Sequence, residues 1–186
     1  ITMAQGYLQH SMEDTQACFH MYFRSYPFKG GYAVACGMDQ LARLVEDYGF
    51  SDEDIAYLAS LDGPQGGPLF DDGFLERLAN LQLSVDIDAV PEGTVVFPNE
   101  PLVRVCGPIF ECQLIETPLL NCVNFETLIA TKAARVCSVA GAPVAEFGLR
   151  RAQGPAGGVW ASRAAVVGGC ASTSNVLAGR MFGLPV

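Results

Sequence analysis

Apolar and polar positions along this chain switch between a helical and an alternating rhythm. Met3 to His10 keeps apolar residues on one face and predicts a helix, whereas Ala17 to Arg24 alternates and predicts a strand. Pro27, Gly30 and Gly31 make Ser25 to Gly31 a loop, and Tyr32 to Cys36 reads as a short strand or a loop. Met38 to Tyr48 sets Leu41, Leu44, Val45 and Tyr48 on one helical face. Ser51 caps the next helix, whose first turn holds Asp52, Glu53 and Asp54, where carboxylates complement the dipole. Asp62 to Gly67 is a connector, and Phe70 to Leu81 is helical.

Beyond it, Leu83 to Val90 alternates as a strand. Thr94–Phe97 and Leu102–Cys106 flank Pro98-Asn99-Glu100-Pro101, which predicts a hairpin-like turn. Ile109 to Ala140 is a helical run with a break expected at Pro118, whose nitrogen carries no hydrogen. After Gly141 the pattern changes. Val144–Phe147, Val166–Cys170 and Leu184–Val186 are strand candidates, with helices near Val159–Ala165 and Ser174–Met181. That βα alternation predicts a parallel sheet or barrel.

Composition narrows the function. The chain has 186 residues, half of them hydrophobic, enough for a core in one domain or two small ones. A net charge of −9 disfavours nucleic acid and anionic membranes as partners. No apolar run reaches the ~18 residues of a membrane span. No basic segment followed by an apolar one opens the chain, so no secretory signal is expected. The chain starts at Ile1 without an initiator Met and ends on the strand-like Leu184-Pro185-Val186, so both ends are expected to be cuts in a larger protein. Seven cysteines, without a Cys-x-x-Cys pair, read as reduced, buried thiols of a cytoplasmic protein. No metal site is expected, because His10 and His20 lie far in sequence from most of those thiols. Both histidines read as surface or structural residues.

Charge is unevenly spread, and this points to chemistry. Residues 1–126 hold 19 of the 20 acids and 5 of the 11 bases, whereas residues 127–186 hold 6 bases and only Glu146. Within the acid-poor part, the strand Val144–Phe147 runs into Arg150 and Arg151 and then Gln153-Gly154-Pro155. Paired guanidiniums at a strand's C-terminal end suit phosphate or carboxylate; the plain alternative is a solvated or ion-paired loop arginine. Ser172-Thr173-Ser174-Asn175 precedes an apolar helix and offers either an anion site or an ordinary N-cap. Arg24 ends a strand and is either a phosphate contact or a surface residue. Lys132 and Arg135 complement a helix C-terminus, and Trp160 packs a helix on the sheet.

Several blocks together resemble one family. Ile1-Thr2-Met3-Ala4-Gln5-Gly6-Tyr7, Arg24-Ser25-Tyr26-Pro27-Phe28, Val90-Pro91-Glu92-Gly93-Thr94, Leu128 to Arg135, Phe147 to Pro155 and Thr173 to Gly179 look like nicotinate phosphoribosyltransferase, in order and across essentially the whole chain. The resemblance implies an α/β fold: an α+β sandwich-like domain with a hairpin and a long helical segment over 1–140, then over 141–186 the first βα units of an incomplete α/β barrel of the type II phosphoribosyltransferase kind. It implies synthesis of nicotinate mononucleotide from nicotinate and phosphoribosyl pyrophosphate, driven by ATP through a phosphorylated histidine, with Mg2+ and a homodimer that shares its active sites.

Residue by residue, Arg150 matches the family arginine that approaches the substrates, and Phe147 a position beside the pyridine ring in the related nicotinamide enzyme. Ser174 matches a position where that relative carries an acid. Arg24 matches an arginine that reaches phosphates in the neighbouring subunit's site. Arg151, Thr173 and Asn175 belong to the same motifs. The family's stacking tyrosine is expected before Ile1 and the phosphohistidine beyond Val186, so the chain resembles an N-terminal fragment. Alternatives are a non-catalytic or scaffold module, or a nicotinamide or quinolinate enzyme. Quinolinate's second carboxylate calls for more cations than are visible.

Overall fold

Ser51 Oγ accepts from the Asp54 amide at 3.2 Å while Asp54 Oδ2 accepts from the Ser51 amide at 2.8 Å. This reciprocal capping box starts helix α3 where the acidic first turn predicts it. The computed structural model describes residues 1–186. In chain order the elements are α1 (Thr2–Gln9), β1 (Gln16–Met21), β2 (Ala33–Val34), α2 (Met38–Glu46), α3 (Asp52–Ala59), α4 (Asp72–Ala79), β3 (Asp86–Ala89), β4 (Val95–Val96), β5 (Val103–Pro108), α5 (Ile109–Val139), β6 (Ala145–Glu146), α6 (Gly154–Val167), β7 (Ser172–Thr173) and α7 (Val176–Phe182). Short 3-10 turns cover Pro27–Lys29 and Leu149–Arg151. No helix is long and apolar enough to cross a membrane.

The chain forms two units that interleave in sequence. One comprises Ile1–Phe19, Arg43–Ile87 and Arg104–Thr117; the other comprises His20–Ala42, Asp88–Val103 and Pro118–Val186. Strands β1, β5 and β3 form a sheet in that order.

The first unit is built on an aromatic core. Asp71 caps α4 by accepting from the Phe74 amide at 2.8 Å, which fixes the start of a helix whose Phe74, Leu75 and Leu78 point inward. These pack with Phe70, Phe110 and Leu114. Phe74 stacks on Phe70 at 5.3 Å and meets Phe110 edge-on at 6.0 Å. One expectation fails here: Cys18 on β1 and Cys106 on β5 are joined as a disulfide, because neighbouring strands set their Cα atoms 4.2 Å apart. The other five cysteines are free.

In the second unit, β2 and β4 pair antiparallel, Ala33 opposite Val96. The expected hairpin between β4 and β5 is therefore absent: β4 pairs with β2, whereas β5 lies between β1 and β3. Hydroxyls of α5 satisfy β2 and the residues after it, Thr131 Oγ1 accepting from the Val34 amide at 2.9 Å and Thr127 Oγ1 from the Cys36 amide at 3.2 Å. Strands β6 and β7 pair in parallel, with α6 between them in sequence, so the βα alternation is realised as one β–α–β unit. Val166–Cys170 is not its second strand. Val166 and Val167 close α6, and Ser172–Thr173 forms the strand. Leu184–Val186 is not a strand either, although the Pro185 carbonyl accepts from the Thr173 amide at 2.9 Å. Small residues set how closely α5 and α6 approach: Ala130, Ala133, Ala164 and Ala165 are buried, and a Cβ on Gly168 would strike the Ala130 carbonyl.

Pro118 does not break α5, which runs from Ile109 to Val139. A proline leaves the carbonyl four residues earlier without its helical donor. That carbonyl belongs to Leu114, and the Tyr48 hydroxyl donates to it at 2.9 Å. Tyr48→Phe should therefore destabilise the protein by ~1–3 kcal/mol in urea unfolding, the cost of an orphaned buried acceptor. In a Pro118→Ala background the helix regains its own donor, and the same change should cost distinctly less. Equal costs in both backgrounds would show that Tyr48 stabilises only by packing.

Candidate functional site

The parallel register of β6 and β7 sets Glu146 opposite Thr173, so the two motif segments leave neighbouring strand ends side by side. After β6, Phe147 stands 65% exposed and the chain turns through Leu149–Arg151. The Arg150 guanidinium lies 5.2 Å from the Phe147 ring centre, a cation–π contact. Phe147 and Arg151 line a cavity of about 500 Å³ together with Glu146, Gln153, Lys132 and Cys170. Burial and the neighbouring Cys137, with its sulfur 3.9 Å away, push the Cys170 thiol up to about 12, so this wall presents a protonated sulfur.

The hydroxyl-rich segment divides between two roles. Thr173 is buried and donates to Glu146 Oε2 at 2.6 Å. Asn175 is buried and caps α7, accepting from the Ala178 amide at 3.2 Å, while its Nδ2 donates to Ser162 Oγ at 3.2 Å. Ser174 is exposed; its amide donates to the Glu146 carbonyl at 3.0 Å, and its hydroxyl is unengaged. Of the expected donors, Ser174 faces solvent beside the arginine turn, while Thr173 and Asn175 hold the scaffold.

Arg24 is placed apart, on a second cavity of about 310 Å³ lined also by Ser25, Tyr26, Asn124 and Thr127. Below it the loop is strained, with positive φ at the consecutive residues Phe28 and Lys29. Two α5 cations hold it. Arg135 Nη1 donates to the Phe28 carbonyl at 2.7 Å, and Lys132 Nζ lies 4.9 Å from the Phe28 ring centre. These residues serve the loop rather than the helix dipole. Trp160 meets Phe182 of α7 at 4.9 Å, so it packs helix on helix rather than helix on sheet.

The sequence reading missed Arg163. Its guanidinium reaches Glu92 through Nη2–Oε2 at 2.5 Å and Nη1–Oε1 at 3.0 Å, and Glu126 Oε2 at 3.3 Å. Glu92 also accepts from the amides of Gly37 and Met38, both at 2.8 Å, at the start of α2. Gly37 has φ +99 and lies against the backbone of Cys122 and Val123, where a Cβ would not fit. Burial alone would raise Glu92, but Arg163 and the α2 amides hold it below its usual range. Glu126 is fully buried, and burial raises it to about 7 against the pull of Arg163. With the Gln40 amide oriented by its neighbours, it donates to Glu126 Oε1 at 2.9 Å and accepts from Trp160 Nε1 at 3.1 Å. Burial, then Glu126 and Glu92, push the Cys36 thiol well above its ordinary value. The donor atoms of Cys36, Glu92 and Glu126 lie within 4.8 Å of one another, a grouping suited to a cation, and the guanidinium of Arg163 supplies that positive charge.

Comparison with known proteins agrees across the chain. Residues 1–124 match the family model described as nicotinate phosphoribosyltransferase (NAPRTase) N-terminal domain. The chain is similar over its full length to the nicotinate phosphoribosyltransferases of Caenorhabditis elegans, at 44% identity, and Bacillus subtilis, at 43%, covering 33% and 37% of their lengths. The crystal structure of human nicotinic acid phosphoribosyltransferase superposes with a TM-score of 0.87 at 41% identity, over 100% of this chain and 37% of that one. The chain thus spans about a third of the length of the curated relatives it matches.

The buried cluster sets a pH dependence. A carboxyl raised from 4.5 to about 7 keeps its proton in the folded state over a range where the unfolded chain has lost it. Its contribution is present below 4.5 and is lost as pH rises through about 7. Glu92, held low, acts in the opposite sense and only at the acid end. Relative to Glu126→Gln, which cannot titrate, the wild-type protein should lose stability in urea unfolding between pH 5 and 8. Parallel curves would show that Glu126 stays ionised in the fold.

Proposed function

Because the chain belongs to the nicotinate phosphoribosyltransferase family, we propose that it supplies part of the substrate site of an enzyme joining nicotinate to phosphoribosyl pyrophosphate. The observation that carries this reading is the parallel pairing of β6 with β7. It brings the Phe147–Arg151 turn and Ser174 to one end of the sheet, where α/β folds bind ligands. In the reaction the nicotinate ring nitrogen forms a bond to the anomeric carbon of the ribose. The bond from that carbon to pyrophosphate breaks, and its electron pair leaves with the phosphate oxygen. Positioning and charge neutralisation are the protein's tasks.

The roles follow from what each group has free. Phe147 offers an exposed ring face for the pyridine, shared with the Arg150 guanidinium. Arg150 and Arg151 make no ion pair within the chain and are available to carboxylate or phosphate. Ser174 presents a neutral hydroxyl, which suits a ring carboxylate that an acid would repel. Arg24, on its separate cavity, is assigned to phosphates of the neighbouring subunit's site in a homodimer. ATP is assigned as co-substrate through a phosphorylated histidine; no histidine lines the Phe147–Arg151 cavity. Magnesium finds no ligand set on this wall, because Glu146 is its one carboxylate and both of its oxygens already accept from protein donors. The metal would enter on the phosphate oxygens of the substrate.

Arg150→Ala in the complete enzyme should lower kcat/KM by roughly tenfold to a hundredfold, the loss of a charge-assisted contact worth ~1.5–3 kcal/mol. The unfolding midpoint should hardly move, since the side chain contacts only an exposed ring. Unchanged kcat/KM for both substrates would remove Arg150 from the site.

Ser174→Asp should weaken nicotinate binding more than nicotinamide binding at the same pH. The introduced carboxylate repels the ring carboxylate and tolerates the amide. Equal losses, measured by calorimetric titration, would show that Ser174 does not face the ring substituent.

A further inference from the structure

We infer that Glu146 is a positioning residue, which fixes the Phe147–Arg151 turn relative to Ser174; its ligand rests on the proposed function, its contacts on geometry alone. Glu146 is the only acid after residue 126, and it lies four positions before Arg150. A free carboxylate there would pair with that guanidinium or repel an anionic ligand. Instead, its oxygens are taken by donors from three other segments. Oε1 accepts from the Gly148 amide, and Oε2 accepts from Thr173 Oγ1 at 2.6 Å and lies 3.1 Å from Ser162 Oγ of α6, whose single proton it shares with the Gly158 carbonyl at 2.9 Å.

Each contact bears on where a ligand-facing group points. The bond to the Gly148 amide curls the chain directly after Phe147, which sets the direction in which Phe147 and Arg150 leave the strand. It also brings Oε1 so near that a Cβ on Gly148 would lie 2.9 Å from it, so a larger residue there would push the carboxylate aside. Thr173 Oγ1, held by Glu146, accepts in turn from the Asn175 amide at 3.0 Å, and so shapes the segment that presents Ser174. The Glu146 carbonyl receives the Ser174 amide at 3.0 Å. One residue therefore connects both halves of the site while its charge is occupied by hydrogen bonds.

The test uses the full-length enzyme and three variants, Glu146→Ala, Glu146→Gln and Thr173→Val. Steady-state kinetics for nicotinate and phosphoribosyl pyrophosphate is combined with amide hydrogen exchange. Misplacing reacting groups by about 1 Å can cost on the order of 10²-fold. Glu146→Ala should therefore lower kcat/KM for nicotinate by that order. The amides of Gly148 and Asn175 should exchange faster, while Leu75 and Leu78 in α4 keep their protection. Glu146→Gln keeps one acceptor and the side-chain length and should recover part of the loss. Thr173→Val should speed Asn175 exchange and leave Gly148 slow. Wild-type kcat/KM in Glu146→Ala, or exchange at Gly148 and Asn175 unchanged, overturns the inference. If Glu146→Ala fails to fold, wild-type kinetics and exchange in both other variants overturn it. An inactive wild-type enzyme would sink the proposed function and leave the exchange measurements to decide the positioning role.

Discussion

The half-buried charge of Arg163 is the constraint on which the second unit depends. A guanidinium taken out of water costs several kcal/mol unless it is paired and its donors are satisfied. Here Glu92 and Glu126 satisfy it, and each comes from a different part of the chain, the loop before β4 and the middle of α5. Glu92 also binds the amides at the start of α2. Four segments are therefore tied through one cation, and removing any partner strands the others. Glu126 is the fully buried member, and its burial raises it toward its protonated form against the pull of Arg163.

The cluster reaches the site through sequence adjacency. Arg163 and Ser162 are consecutive on α6, so they leave the helix about 100° apart. One serves the ion cluster and the other contacts Glu146 and Asn175. Fixing the helix for one purpose fixes it for the other. The small residues between α5 and α6 act in the same direction, since alanines and Gly168 let the backbones approach with no long side chain between them. The exposed turn at Phe147–Arg151 is mounted on the same helix, where Leu149 lies against Gly158.

Much of this was legible in the sequence wherever the signal was local. The Ser51 cap and the amphipathic face of α2 are set by neighbours within a few residues, and the structure has both, whereas of the βα alternation it has one β–α–β unit with its second strand at Ser172–Thr173. The features that were not legible depend on distant partners. Thr94–Phe97 and Leu102–Cys106 look like a hairpin until β2 and β1 compete for them. Pro118 looks like a break until Tyr48, 66 residues before the Leu114 carbonyl it reaches, supplies the missing donor. Val166–Cys170 is a short apolar run, and such a run reads alike as a strand or as the end of a buried helix. In the candidate site, the arginine turn stands out in the sequence by its charge. Arg163 does not, because one arginine in an alanine-rich helix gives no sign that two carboxylates will meet it.

What distinguishes the two sets of arginines is where their counter-charges lie. Arg163 has its acids within the fold, whereas Arg150 and Arg151 have one acid nearby, Glu146, and the fold diverts it. The Gly148 amide and the hydroxyls of Thr173 and Ser162 satisfy that carboxylate before the guanidiniums can. A hydrogen-bonded carboxylate keeps its charge, so it still moderates the local potential, but it no longer offers the lone pairs that would hold an arginine in place. In a chain of net charge −9, the easier outcome would have been to neutralise every cation internally. Leaving two guanidiniums unpaired at a parallel strand end forgoes that stabilisation, and an anion that binds there restores it. Arg150 and Arg151 therefore keep their guanidinium donors free of any carboxylate of the chain, which is the property the proposed substrate role needs.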